Sequence, residues 1–248
     1  MGKLFFLKKY TFCVSYMCLS TFIIICALAF ARAGVVKVNE AAPEIESVAS
    51  VQKSKITVIL DAGHGGEDAG ASSDGGILEK DLNLKICENI RDILICAGID
   101  VRMTRTEDAL LYTEEQNIKG QRKHYDLKNR YLIACEYENP VFVSVHINKF
   151  TQSQYKGLQV YYSDNNPESK VLADTIQSEI KLYLQNENNR KTKNAHTSIY
   201  LLDRLECPAV LVECGFLSNA EDCENLSDDE YIKKMSAIIS NAIMENLE

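Results

Sequence analysis

Four residues, far apart in the chain, have the side-chain types of a hydrolytic site: His64, Glu79, His146 and Glu213. Residues 57–60 are a short β-branched apolar run, the pattern of a strand buried on both faces of a sheet. The run breaks into Asp61-Ala-Gly-His-Gly-Gly66, where glycines let the backbone turn sharply and approach a bound group closely. His64 is thereby presented at the C-terminal edge of a strand, where open α/β sheets place ligands. Two further apolar runs lead into an ionisable residue in the same way, 141–145 into His146 and 209–212 into Glu213. Glu79 stands just before a helical pattern, close to the same edge. Two imidazoles and a carboxylate with an open fourth position are the usual ligands of a hydrolytic zinc ion, and a second carboxylate can then serve as general base.

Each residue also has a plainer role. Glu79 is suited to the N-terminus of a helix, where the dipole favours a carboxylate. His146 at a strand end can be a hydrogen-bonded structural histidine. Glu213 is harder to set aside, because a carboxylate that follows four apolar strand residues costs several kcal/mol if buried unpaired. His124 and His196 lie in polar surroundings and read as surface residues. The glycine loop lacks both a dinucleotide fingerprint and a Walker lysine, and the chain has no G-x-S-x-G elbow. Spacing alone leaves the zinc reading and the structural readings side by side.

The elements that must position these residues follow from periodicity. Residues 81–97 read as an amphipathic helix ended by Gly98, and 99–104 as the strand after it. A charged loop over 105–125 leads to a helix over 126–137 and a strand over 141–146. A strand over 157–162, a helix over 169–184, a strand over 209–213 and a closing helix around 231–244 complete the pattern. Strands alternating with helices predict an α/β single domain, with a mostly parallel central sheet flanked by helices on both faces.

The 248 residues divide into a leader, 1–33, a polar linker, 34–54, and a domain, 55–248. Residues 10–30 carry no charge, follow a basic tip and precede small-x-small sites, as in a signal peptide or an uncleaved anchor. Both predict export, with the membrane touched only by the N-terminal segment. The first 33 residues hold four of the 27 Lys and Arg and no acidic residue, leaving 23 against 35 Asp and Glu in the rest. That balance argues against a nucleic-acid partner. Six cysteines remain beyond the leader, with no Cys-x-x-Cys pair, and read as reduced, mostly buried thiols.

The segments Asp61-Ala-Gly-His-Gly-Gly66, Gly75-Gly-Ile-Leu-Glu-Lys80, Val101-Arg-Met-Thr-Arg105, Ser144-Val-His-Ile-Asn148 and Pro208-Ala-Val-Leu-Val-Glu-Cys-Gly-Phe-Leu-Ser-Asn219 occur in the order found in zinc-dependent N-acetylmuramoyl-L-alanine amidases of the Amidase_3 type. The chain resembles that family from about Ile56 onward. The resemblance implies hydrolysis of the amide between muramic acid and L-alanine in peptidoglycan, one zinc ion on His64, Glu79 and His146, and Glu213 as the catalytic residue. Asn148 and Arg130 are candidate substrate contacts, although both residue types are common in structural roles at such positions. Ala62 stands where the family commonly has proline, and Cys214 where a small apolar residue is usual. Strand alternation turns Cys214 away from Glu213, so it is not read as a nucleophile. Only residues 149–156 separate His146 from the next strand, which leaves no room for the inserted helix that plugs the site in some regulated members. The leader, the single domain and the segment 199–204 look most like the sporulation and germination branch that trims spore-cortex peptidoglycan before muramic-δ-lactam forms. The competing readings are a zinc peptidase or deacetylase of the cell wall, and an inactive wall-binding regulator. In place of a plug, the 105–125 loop or the acidic surface is expected either to meet an activating protein partner or to order on binding substrate.

Overall fold

The structure, a computed structural model, describes residues 56–247. The leader, the linker, and the membrane contact expected of the leader lie outside these residues. Six strands and six helices follow in the order β1 (Thr57–Ala62), α1 (Glu79–Cys96), β2 (Asp100–Met103), α2 (Arg122–Cys135), β3 (Pro140–Asn148), β4 (Gln159–Tyr162), α3 (Pro167–Tyr183), β5 (Lys193–Asn194), α4 (Tyr200–Arg204), β6 (Ala209–Phe216), α5 (Ala220–Ser227) and α6 (Asp229–Glu245). They build one sheet in the order β2-β1-β3-β6-β4-β5. The neighbours β2, β1, β3 and β6 are parallel, whereas β4 runs antiparallel to β6. The connection from β3 to β4 contains no helix, and a return without a crossover helix favours an antiparallel strand.

Strand alternation separates two cores. Val58, Leu60, Val143, Val145 and Val212 face one side, against Ile86 and Ile90 of α1, Ile176 of α3 and Ile239 of α6. Ile59, Phe142 and Leu211 face the other, against Leu127 and Tyr131 of α2 and Leu201 and Leu202 of α4. Helices therefore cover both faces, as the alternating pattern predicts. Fully burying one such aliphatic side chain is worth about 1.5–3 kcal/mol, so the two cores fix the strand register on which the site depends.

Boundaries moved where local chemistry was stronger than periodicity. Helix α1 begins at Glu79 itself and ends at Cys96, and Gly98 just beyond it, at a φ of 82°, allows the Ile99 amide to reach the Leu94 carbonyl. Helix α2 begins at Arg122, four residues earlier than the apolar pattern suggests. Strand β6 runs three residues past Glu213, to Phe216. The short elements β5, α4 and α5 have no periodic signal strong enough to read. All six cysteines are unpaired, but only Cys87 and Cys214 are buried; Cys96 and Cys135 are exposed, which corrects the expectation of mostly buried thiols. Among the described residues, no helix is long and apolar enough to cross a membrane.

Candidate metal centre

The loop after β1 is held by two guanidinium groups. Asp61, at 1 % exposure, accepts from Thr104 Oγ1 at 2.8 Å, Ser144 Oγ at 2.6 Å and Arg130 Nη1 at 2.7 Å. Burial alone would raise the Asp61 carboxyl, but the Arg130 charge and the Ser144 hydroxyl hold it below the usual carboxylate range. Arg130 also pairs with Asp126 at 2.8 Å and donates to the carbonyls of Ala62 and His64, each at 2.7 Å. Arg105 donates to the carbonyls of Ala62 at 2.9 Å, Gly63 at 3.1 Å and Lys80 at 2.7 Å. These bonds hold His64 in a left-handed backbone conformation, φ 62°. A non-glycine residue held there costs roughly 1–3 kcal/mol and persists only where its surroundings over-determine it.

Gly63 is glycine for a steric reason. A Cβ on it would stand 2.3 Å from Cε1 and Nε2 of His146. The loop therefore packs its bare backbone against the second imidazole. Gly63→Ala is expected to displace the His146 ring and to cost about 1–3 kcal/mol of overpacking strain, read by denaturant unfolding. The same variant should bind zinc more weakly, read by competition with a chelator.

Glu79 opens α1 and is 4 % exposed, yet it does not cap the helix. Its Oε2 accepts from the Ala71 amide at 2.6 Å, and its Oε1 from the Ile147 amide at 3.1 Å. Oε1 also lies 3.1 Å from His64 Nε2 and 2.9 Å from His146 Nδ1. Burial raises the Glu79 carboxyl, but hydrogen bonds from His146 and His64 outweigh it and hold the group ionised far below the ordinary range. The reciprocal effect raises His64: burial would lower it, and Glu79 with Asp68 overcome that. One donor atom from each of His64, Glu79 and His146 falls within 4.8 Å of the others. Two imidazole nitrogens and one carboxylate oxygen, partly buried and convergent, match the donor set of a hydrolytic zinc site.

Glu213 reaches this group through strand register rather than at a strand end. His146 and Glu213 are direct partners on the parallel strands β3 and β6, so their side chains share one sheet face. That corrects the expectation that β3 and β6 terminate at these residues, since both strands continue past them. Glu213 Oε2 is buried and has no hydrogen-bond partner. Burial pushes the carboxyl up to about 7, with His146 pulling down and Glu79 pushing up. Buried polar atoms without a partner are rare, and this one stands beside the convergent donor set. Cys214 points into the opposite core at 1 % exposure, and burial pushes its thiol far up.

A cavity of 320 Å³ opens beside the imidazoles, lined among others by His64, Asp68, Lys123, His146 and Tyr200. A larger one, 550 Å³, lies around Pro140 and Pro208 where β3 and β6 begin, and size alone does not make it the site. Arg130 lines the smaller cavity, but its donors go to Asp61, Asp126 and two loop carbonyls, so the structure gives it a positioning role. Asn148 closes β3 and is partly exposed at the same edge, two residues past His146. His124 and His196 are exposed, away from the cluster. The sequence reading passed over Asp61 and Asp126. The first ends an apolar run just as Glu213 does, and the second stands four residues before Arg130 on a helix, the spacing of an ion pair.

A family model described as N-acetylmuramoyl-L-alanine amidase matches residues 58–245. The chain is 35 % identical over 187 residues to a germination-specific N-acetylmuramoyl-L-alanine amidase of Bacillus subtilis, covering 75 % of this chain and 78 % of that one. Among solved structures it is similar to the CwlD amidase of Clostridioides difficile, determined in complex with the GerS lipoprotein. The identity is 41 % and the TM-score 0.73, over 77 % of this chain and 98 % of that one. It is also similar to the amidase AmiC2 of Nostoc punctiforme, at 30 % identity and a TM-score of 0.66, over 77 % and 96 % of the two chains.

Proposed function

The chain belongs to the Amidase_3 family of N-acetylmuramoyl-L-alanine amidases, and on that premise we propose that its activity is zinc-dependent, with the metal held by His64, Glu79 and His146 and with Glu213 as the general base. The observation that carries this reading is the unpartnered Glu213 Oε2, buried in register with His146 beside three convergent donors. Zinc in that position would polarise the scissile carbonyl and make water acidic enough to attack it near neutral pH.

The chain's own groups do the rest. The Glu213 carboxylate, kept basic by burial, takes the proton from the attacking water at Oε2 and passes it to the nitrogen of L-alanine as the bond to the lactyl carbonyl breaks. Asp61 and Arg130 keep the His64 backbone in place, and the Ile147 and Ala71 amides orient the Glu79 carboxylate. The cavity under α4 takes the part of the substrate nearest the reacting amide. Asn148, partly exposed at the end of β3 two residues past His146, is the proposed substrate contact.

The cellular reading goes one step further. Residues 1–33 direct export as a cleaved signal or an anchor, 34–54 are a linker, and 55–248 act on peptidoglycan outside the cytoplasmic membrane, removing stem peptides ahead of cortex lactam formation. The kinship with a germination-specific amidase supports this, and the neighbour solved with a lipoprotein supports an activating protein partner.

The test is a digest of purified peptidoglycan with zinc and with chelator, analysed by mass spectrometry. Zinc-dependent release of intact stem peptides that begin with free L-alanine is the expected result. Released acetate, or a cut inside the stem, would assign the site to another bond. No product from zinc-loaded protein would call for a candidate partner to be added.

A further inference from the structure

Resting on the zinc reading, we propose that Asp68 is the positioning carboxylate for His64, turning the ring so that Nε2 faces the metal. Asp68 Oδ2 lies 3.0 Å from His64 Nδ1, on the far side of the ring from the Nε2 that faces Glu79 at 3.1 Å. Nδ1 is buried and has no aligned hydrogen-bond partner, so Asp68 is close enough to accept its proton but stands off the ring N–H direction. Imidazole can offer a lone pair at Nε2 only when its proton sits at Nδ1, and a carboxylate there fixes that tautomer.

The backbone is shaped to deliver this carboxylate. Gly65 and Asp68 exchange two backbone hydrogen bonds of 3.0 Å, closing a tight turn through Gly65 at φ 142° and Gly66 at φ 54°. Both angles are in the region that favours glycine. The turn folds Asp68 back beneath the ring of the residue four before it. A Cβ on Gly65 would meet the Ala109 carbonyl at 2.2 Å, so the loop after β2 packs directly on the turn. The start of α2 grips the same turn from outside, with Arg122 on Glu67 at 2.7 Å and Lys123 on Asp68 Oδ2 at 2.9 Å. The Gly70 amide contacts Asp68 Oδ1 at 3.3 Å. His64 is thus oriented from two sides, its backbone by Arg130 and its ring by Asp68.

The experiment measures zinc affinity of the full chain by chelator competition, for the unchanged protein, Asp68→Asn, Asp68→Ala and His64→Ala, with thermal melting of each in the zinc-free state. Asp68→Ala is expected to bind zinc about 10–100-fold more weakly, the usual cost of losing such a partner. Asp68→Asn should fall between it and the unchanged protein, with zinc-free melting unaltered in both. Unchanged affinity in both Asp68 variants overturns the proposal. A loss of affinity matched by a comparable drop in zinc-free melting overturns it too, because Asp68 would then support the turn rather than the ring. Failure of the unchanged protein to bind zinc more tightly than His64→Ala would overturn the zinc reading itself, a result distinguishable from the others.

Discussion

Replacing Glu213 with glutamine is expected to lower the turnover rate by about 100- to 10,000-fold, the range that one positioned proton-transfer group contributes. Glutamine keeps the volume and the hydrogen-bonding oxygen but cannot accept a proton from water. The variant should fold as well as the parent or better, because it removes a buried carboxylate with no partner for Oε2. Zinc should remain bound, since Glu213 is not among the three convergent donors. Single-turnover assays on peptidoglycan fragments, with metal content measured on the same samples, would read both quantities. The pH profile gives a further handle. Burial sets the Glu213 carboxyl near 7 in the metal-free site, and a nearby dication draws it downward. A base is useful only when unprotonated, so the rate should fall as pH drops through a value at or below about 7. Persistence of both the activity and that acidic limb in Glu213→Gln would show that some other group is the base.

Replacing Arg130 with alanine should damage the protein through stability first. The side chain is 1 % exposed and pairs with two carboxylates, Asp61 at 2.7 Å and Asp126 at 2.8 Å. Breaking a buried pair by removing one partner costs roughly 3–5 kcal/mol, because the remaining charge stays buried without compensation. Domains of this size are stable by only about 5–15 kcal/mol, so the loss takes a large share of the total. The His64 carbonyl would also lose its donor, and with it a restraint on the left-handed conformation. Unfolding in urea, followed by circular dichroism, would give the first effect, and zinc affinity at low temperature the second. The sign of the pH dependence follows from Asp61. Its carboxyl is depressed in the fold, so its contribution is complete above the ordinary carboxylate range of about 4 and is lost as pH falls through the lower folded value. Arg130→Ala should remove that contribution, leaving the variant with less stability to lose on acidification over that interval. A variant as stable as the parent would mean that Arg130 is not the tie described here.

The chemistry of the centre was legible because its residues interrupt strong patterns. His64 follows an apolar run and sits among glycines, and Glu213 follows four residues that belong in a core. Glu79 was legible only in combination, since a carboxylate opening a helix is ordinary. The structure separates the two roles by sending its oxygens to Ala71, Ile147 and the histidines instead of to its own helix. What the sequence could not supply was register. The facing of His146 and Glu213 depends on how β3 and β6 pair, which two cores fix at long range. The supporting shell was hidden for a different reason. Asp61, Asp68, Arg105 and Asp126 look like surface charges in a one-dimensional reading, and only the third dimension shows which backbone carbonyl or ring nitrogen each one meets. Arg130 was read as a possible hand on the substrate, and its donors prove to be occupied by the protein.

Strand pairing in this sheet has a kinetic consequence. The residues that face one another at the centre come from β1, the start of α1, β3 and β6, so most of the described chain must be threaded and paired before they meet. Non-local pairing of parallel strands is among the slower steps in folding, because loop entropy is lost before the contacts form. A chain still folding therefore lacks Glu213 at the centre until β6 has docked between β3 and β4. Once formed, a cation held by His64 after β1, Glu79 at the start of α1 and His146 of β3 would act as a removable cross-link across the first half of the domain. Chelation would then speed unfolding of the whole domain, and hydrolytic capacity would serve as a reporter of completed folding.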